Sequence, residues 1–260
     1  MFSFISRATA VGILTFAAVN AGAATAGTKP TIVLVHGAFA GSSSWNGVVA
    51  QLTQQGYRVV AAANPLRGVA SDGAYVASLT KSIAGPVVLV GHSYGGAVIS
   101  AAANGLDNVK ALVFVAAFAP DQGESALALT GKFPGSTLPP ALAAPVKLAD
   151  GGEDLYVQQD KFPQQFAADV PLAQATAMAA TQRPIKAAAL QEASPAPAWK
   201  SLPSWAIYGT ADLNIPPQAM GFMAERAQAR KTVVVRGGSH ALMVSHPVEV
   251  AALIQEAAGN

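Results

Sequence analysis

The pentapeptide Gly91-His92-Ser93-Tyr94-Gly95 stands between an apolar run, Val87-Val88-Leu89-Val90, and an alanine-rich one, Ala97-Val98-Ile99-Ser100-Ala101-Ala102-Ala103. A serine flanked by glycines at this spacing is the pattern of a sharp strand-to-helix turn, where the glycines lack the β-carbons that would collide with the strand and the helix. Ser93 Oγ would then stand above a sheet, at the N-terminus of a helix that begins near Tyr94. A serine hydroxyl is a poor nucleophile at neutral pH. It needs a histidine base, and that base needs an acid to fix its tautomer and stabilise its cation.

The chain offers four histidines. His240 ends Arg236-Gly237-Gly238-Ser239-His240, just past an apolar run, where an open α/β sheet builds its site outside the carboxyl ends of its strands. It is the candidate base. His246 precedes Pro247 and reads as the residue that opens the last helix, while His36 and His92 read as partners of the surrounding loops. For the acid, Asp212 follows an apolar run in Ile207-Tyr208-Gly209-Thr210-Ala211-Asp212. Asp121, in Ala119-Pro120-Asp121, is its competitor. With Asp212 the order is Ser, acid, His, as a Gly-x-Ser-x-Gly elbow requires in this architecture. A developing oxyanion needs backbone donors aimed at it. The N–H of Tyr94 is one candidate, and the N–H of Ala38, in His36-Gly37-Ala38-Phe39, is the other.

Six segments rich in Val, Ile and Leu must position these groups: Thr31–Val35, Tyr57–Ala62, Pro86–Val90, Ala111–Ala117, Ser204–Tyr208 and Thr232–Val235. Near-continuous apolar runs separated by helix-length segments predict a parallel sheet buried on both faces, with crossover helices on either side. One helix is expected over Trp45–Gln55, stopped by Gly56, and the last over Pro247–Ala258, with Pro247 in its first turn. Between Pro120 and Leu202 no comparable strand occurs, and eight of the fourteen acidic residues gather there. A structureless loop of that length is uncommon, so an inserted helical cap is expected over about 121–202. Its apolar side chains, among them Leu127, Leu129, Phe133, Leu138, Leu142, Phe162, Phe166, Leu172 and Met178, must be buried against the cap's own core or the site end of the sheet.

Of the 260 residues 52% are hydrophobic and 12% charged, with a formal net charge of +2, which gives no reason to expect nucleic acid as a partner. The chain has no cysteine, which excludes disulfides, thiolate catalysis and thiolate metal sites. No dinucleotide fingerprint, phosphate loop or His–Glu metal pattern is present, so no cofactor or metal is expected. At the N-terminus, Arg7 precedes an apolar run from Ala8 to Val19 and small residues from Ala21 to Ala26. This reads as a secretory signal peptide over 1–26, too short to span a bilayer. A periplasmic or secreted protein, without stable membrane insertion after cleavage, and one domain over 27–260 are expected.

Val-His-Gly-Ala-Phe after the first strand, Gly-His-Ser-Tyr-Gly-Gly, Tyr-Gly-Thr-Ala-Asp with Ile-Pro following, and Gly-Ser-His near the end occur in the order and spacing of the α/β-hydrolase fold. Over residues 30–258 the chain resembles that superfamily, and within it the small capped esterases and the methylesterase and hydroxynitrile-lyase branch. The resemblance implies the strand order second-first-third-fourth-fifth-sixth and a serine hydrolase acting on small-molecule esters through an acyl-enzyme. The branch also holds lyases, and the wider family holds catalytically silent ligand-binding relatives. The lyases typically replace the glycine at the position of Gly37 and carry a lysine at that of Ala241, so both residues here favour hydrolysis.

Overall fold

The computed structural model describes residues 29–259 together with Met1. Apart from Met1, the signal peptide expected over residues 1–26 lies outside the described residues. Along the chain, β1 (Thr31–Val35) leads through a 3₁₀ turn (Ser42–Trp45) into α1 (Asn46–Gln54), and β2 (Val59–Ala62) is followed by α2 (Val69–Lys81). Next come β3 (Val87–His92), α3 (Gly95–Ala102) and β4 (Val109–Val115). The segment that follows holds α4 (Ala126–Lys132), β5 (Val146–Lys147), β6 (Glu153–Leu155), α5 (Phe162–Phe166), α6 (Leu172–Ala180), β7 (Ile185–Lys186) and α7 (Ala187–Gln191). The chain ends with β8 (Ser204–Gly209), α8 (Pro217–Arg226), β9 (Lys231–Val235), α9 (Leu242–Ser245) and α10 (Pro247–Ala258).

Six strands form one parallel sheet in the order β2-β1-β3-β4-β8-β9, which is the expected second-first-third-fourth-fifth-sixth. From β1 the chain moves outward to β2, then returns past β1 to β3. With right-handed crossovers, that reversal puts α1 on one face and α2 and α3 on the other. α10 packs on α1, and α2 on α3. The carboxyl ends of β1 and β3 therefore diverge into a crevice where the direction changes, the place where open α/β sheets build sites.

The expectation that all six strands are buried on both faces holds for β1, β3, β4 and β8 only. β2 is half-buried, and in β9 Lys231, Thr232 and Val234 are exposed. Both are edge strands, with a neighbour on one side only. The expected strand Pro86–Val90 instead reaches His92, since pairing with β4 continues through His92 opposite Val115. The helix expected over Trp45–Gln55 is found, unbroken, over Asn46–Gln54, and Trp45 instead ends the 3₁₀ turn that leads into it and is buried in the core.

The insertion between β4 and β8 is not wholly helical. β5, β6 and β7 form a small antiparallel sheet against which α7 packs. Two-residue strands such as Val146–Lys147 and Ile185–Lys186 are too short for an alternating pattern to reveal. The cap is tied to the core by Arg67, which meets Asp154 at 2.7 Å, and by Glu192, which accepts the N–H groups of Val69 and Ala70 at the start of α2.

Candidate active site

Ser93 stands between β3 and α3 with φ of +54°, a left-handed backbone that a non-glycine residue adopts only where its surroundings enforce it. Those surroundings are visible. Ser93 N–H reaches the carbonyls of Val115 and Ala116, and its own carbonyl accepts from Gly96 and Phe118. A β-carbon on Gly91 would lie 2.6 Å from the carbonyl oxygen of Gly95, so the turn closes only because that residue is glycine. Strand, turn and helix fix the direction of one hydroxyl.

At the ends of β8 and β9, the loops carrying Asp212 and His240 meet where Gly209 touches Gly238 without room for a side chain. His240 Nδ1–H donates to Asp212 Oδ2 at 2.6 Å. The other oxygen, Oδ1, accepts from the N–H groups of Asn214 at 2.8 Å and Ile215 at 2.9 Å. Both side chains are buried. With Nδ1 committed as a donor, a neutral His240 presents Nε2 as an acceptor, the form a general base needs. Its backbone is pinned too, because His92 Nε2–H donates to the His240 carbonyl at 3.0 Å. Burial, together with the nearby His240, holds the His92 ring well below the ordinary imidazole range, so His92 is neutral.

The cap reaches this pair. Phe166, at the end of α5, stands edge-on to the His240 ring with centroids 4.9 Å apart. Asp169 accepts from both the N–H and the hydroxyl of Ser239, the residue before the base. Burial raises the Asp169 carboxyl, but the Ser239 hydrogen bonds outweigh it and leave the group below its ordinary range.

Beside the elbow, the loop after β1 presses on the serine. A β-carbon on Gly37 would fall 2.6 Å from Ser93 Cβ, so glycine is required if the next residue, Ala38, is to stand beside the hydroxyl. Among the described residues, the N–H of Ala38 and the N–H of Tyr94 are given to no acceptor. Ala38, Tyr94, Ser93 and His240 all line one cavity of about 230 Å³. Its far walls are the cap's, with Leu127, Leu138, Leu142, Leu155 and Leu190 among them, and no charged residue lines it.

Asp121 is not part of the site. It pairs with Lys200 at 2.5 Å on the outer surface, and that lysine holds its carboxyl below the usual range. His36 donates from Nδ1 to the Gly37 carbonyl at 2.9 Å, and His246 stands at the start of α10 between Asp169 and Glu249, as the sequence suggested for both. Of the cap's apolar residues, Leu127, Leu138 and Leu142 face the cavity, Leu129, Phe162 and Phe166 are buried, and Leu172 is exposed. Asp72 is a site-adjacent residue that the sequence did not reveal. It is buried in the first turn of α2 and accepts from the Tyr94 hydroxyl at 3.0 Å. In the sequence it reads as an acid near a helix start, with nothing to mark a partner 22 residues away.

The sequence model of the alpha/beta hydrolase family matches residues 32–253. The carbendazim hydrolyzing esterase of Nocardioides sp. (strain SG-4G) is 32% identical over 125 residues, which are 43% of this chain and 50% of that protein, so the chain spans half the length of this relative. The solved structure of polyneuridine aldehyde esterase superposes with a TM-score of 0.76 at 20% identity, covering 88% of this chain and 98% of that one. A pyrethroid hydrolase from Sphingobium faniae JZ-2 does so with a TM-score of 0.69 at 23% identity, covering 88% and 97%. At such identities the structural likeness carries the fold alone, whereas the match to the family's sequence model runs from Ile32 in β1 to Leu253 in α10, and the chain belongs to the alpha/beta hydrolase family.

Proposed function

We propose that the chain is a serine carboxylesterase that cleaves small to medium, uncharged esters through an acyl-enzyme. The observation that carries this reading is the His240–Asp212 pair, buried at 2.6 Å, opening on the same uncharged cavity as Ser93 and the unengaged N–H groups of Ala38 and Tyr94. Ser93 Oγ attacks the ester carbonyl as His240 Nε2 takes its proton, and the tetrahedral oxyanion is held by the two N–H groups. His240 then gives that proton to the departing alcohol. Water, deprotonated by His240, attacks the acyl-enzyme and releases the acid and the free serine. Asp212 keeps the ring oriented and stabilises its cation throughout.

The names of similar proteins support the reaction class: two are esterases, the carbendazim hydrolyzing esterase and polyneuridine aldehyde esterase, and the third is a pyrethroid hydrolase. A lyase of the same branch is disfavoured by Ala241, buried beside the base where a lysine would be needed. The protein is further proposed to be exported with residues 1–26 removed. Among the described residues no helix is long and apolar enough to cross a membrane.

A fluorophosphonate probe together with a series of 4-nitrophenyl esters tests the enzyme. Labelling confined to Ser93, with turnover of short esters, is expected. A chain that binds esters without labelling or turnover is a silent relative, and the reading fails.

A further inference from the structure

We propose that Asp72 is a positioning residue for the oxyanion hole: through the Tyr94 hydroxyl it sets the direction of the Tyr94 N–H. This rests on the serine-hydrolase reading of the site. The Ser93–Tyr94 peptide must aim its N–H at an oxygen that exists only fleetingly, so its orientation needs holding from both ends. Backbone bonds hold the Ser93 end, and the Tyr94 carbonyl accepts from the N–H groups of Ala97 and Val98. At the other end Tyr94 stands just before α3, its side chain wholly buried, and the one polar group of that side chain is donated to Asp72 Oδ2 at 3.0 Å.

Asp72 is itself wholly buried and is held in turn. Its two oxygens accept from the Arg67 N–H at 3.2 and 3.1 Å. The Arg67 guanidinium donates instead to the Pro65 carbonyl at 3.1 Å and, in the cap, to Asp154 at 2.7 Å and the Pro184 carbonyl at 3.2 Å. A carboxylate in this place is costly, since burial raises the Asp72 carboxyl above its ordinary range against the pull of its hydrogen bonds. A phenylalanine at 94 facing an apolar residue at 72 would fill the space without that cost. What such a pair would lose is direction, because an apolar ring can turn or slide where a hydroxyl bonded to a fixed carboxylate cannot.

Tyr94→Phe and Asp72→Asn test the idea, each measured for kcat, KM, melting temperature and affinity for a trifluoromethyl ketone. Such ketones add the serine and form an oxyanion. A misaimed donor is expected to lower kcat and ketone affinity together, by roughly tenfold to a hundredfold, with KM within about twofold of the parent. The double variant should lose little more than the worse single one, as coupled residues do. Selective ¹⁵N labelling of tyrosine adds a readout free of chemistry: the Tyr94 amide resonance should move in Asp72→Asn.

If the parent turns over esters and both folded variants keep its kcat and ketone affinity, the role of Asp72 is overturned while the hydrolase reading stands. A loss seen in KM alone, or a Tyr94 amide that does not move, overturns it as well. A parent that neither labels with fluorophosphonate nor cleaves any ester overturns the hydrolase reading and the role of Asp72 with it.

Discussion

Ser93 carries a backbone conformation that costs on the order of 1–3 kcal/mol and is offset by the surrounding carbonyls and glycines. Removing its hydroxyl alone should leave the fold intact. Ser93→Ala is expected to lower kcat by roughly 10³-fold or more, since the members of such a triad act as a unit; turnover within about tenfold of the parent would move the nucleophile elsewhere. Asp212→Asn should cost roughly as much, because an amide can hold His240 in the wrong tautomer. Asp121→Asn, which touches only a surface pair with Lys200, should leave kcat within about twofold, surface charges being weakly coupled to their surroundings. These residues were legible because each is polar and follows an apolar run. Asp72 and Asp169 were not, since each acts through a partner far away in sequence, Tyr94 and Ser239, and no local pattern records such a pairing.

The central strands could be read from composition because burial on both faces demands unbroken apolar runs. β9 could be read too, although its exposed Val234 shows that valine there serves strand propensity more than burial. The cap was harder. Its helices are short and its strands shorter, and their stability comes from docking on the core. That docking has a chemical consequence at Phe166, which packs on His240 from α5. Phe166→Ala should destabilise the protein by about 3–5 kcal/mol, as large-to-small changes of buried aromatics do, and should lower kcat as the base loosens. Chemical unfolding and steady-state kinetics would measure the two effects, and an unchanged kcat would separate cap from base. The cap also sets the cavity's length. Leu138→Ala, on its wall, should shift the preferred 4-nitrophenyl ester towards longer acyl chains. A peak of kcat/KM at the same chain length would place the acyl group elsewhere.

For the molecule as a whole, two wholly buried histidines set an acid limit. Burial lowers His36 to about 4 from an ordinary 6.5, and its Nε2 has no partner among the described residues. The unfolded chain therefore takes up the proton first. Stability from this group is fully present above about pH 6.5 and is lost as pH falls towards about 4, by about 3 kcal/mol in all. His92 shifts in the same direction. Denaturant midpoints should fall steadily across that window, and a midpoint flat from about pH 6.5 to 4 would mean that His36 is already charged in the folded protein. One more consequence follows from the cavity, whose lining holds no charge. A neutral ester enters it at little cost, but the acid left after hydrolysis ionises. Beyond the two oxyanion-hole N–H groups and the His240 ring, no lysine or arginine is there to receive it, so a carboxylate gives up more hydration than it regains. The chamber thus rejects what it makes. Inhibition by the product acid should be weak at about pH 8 and should strengthen towards about pH 5 as the acid regains its proton, while the alcohol inhibits equally at both.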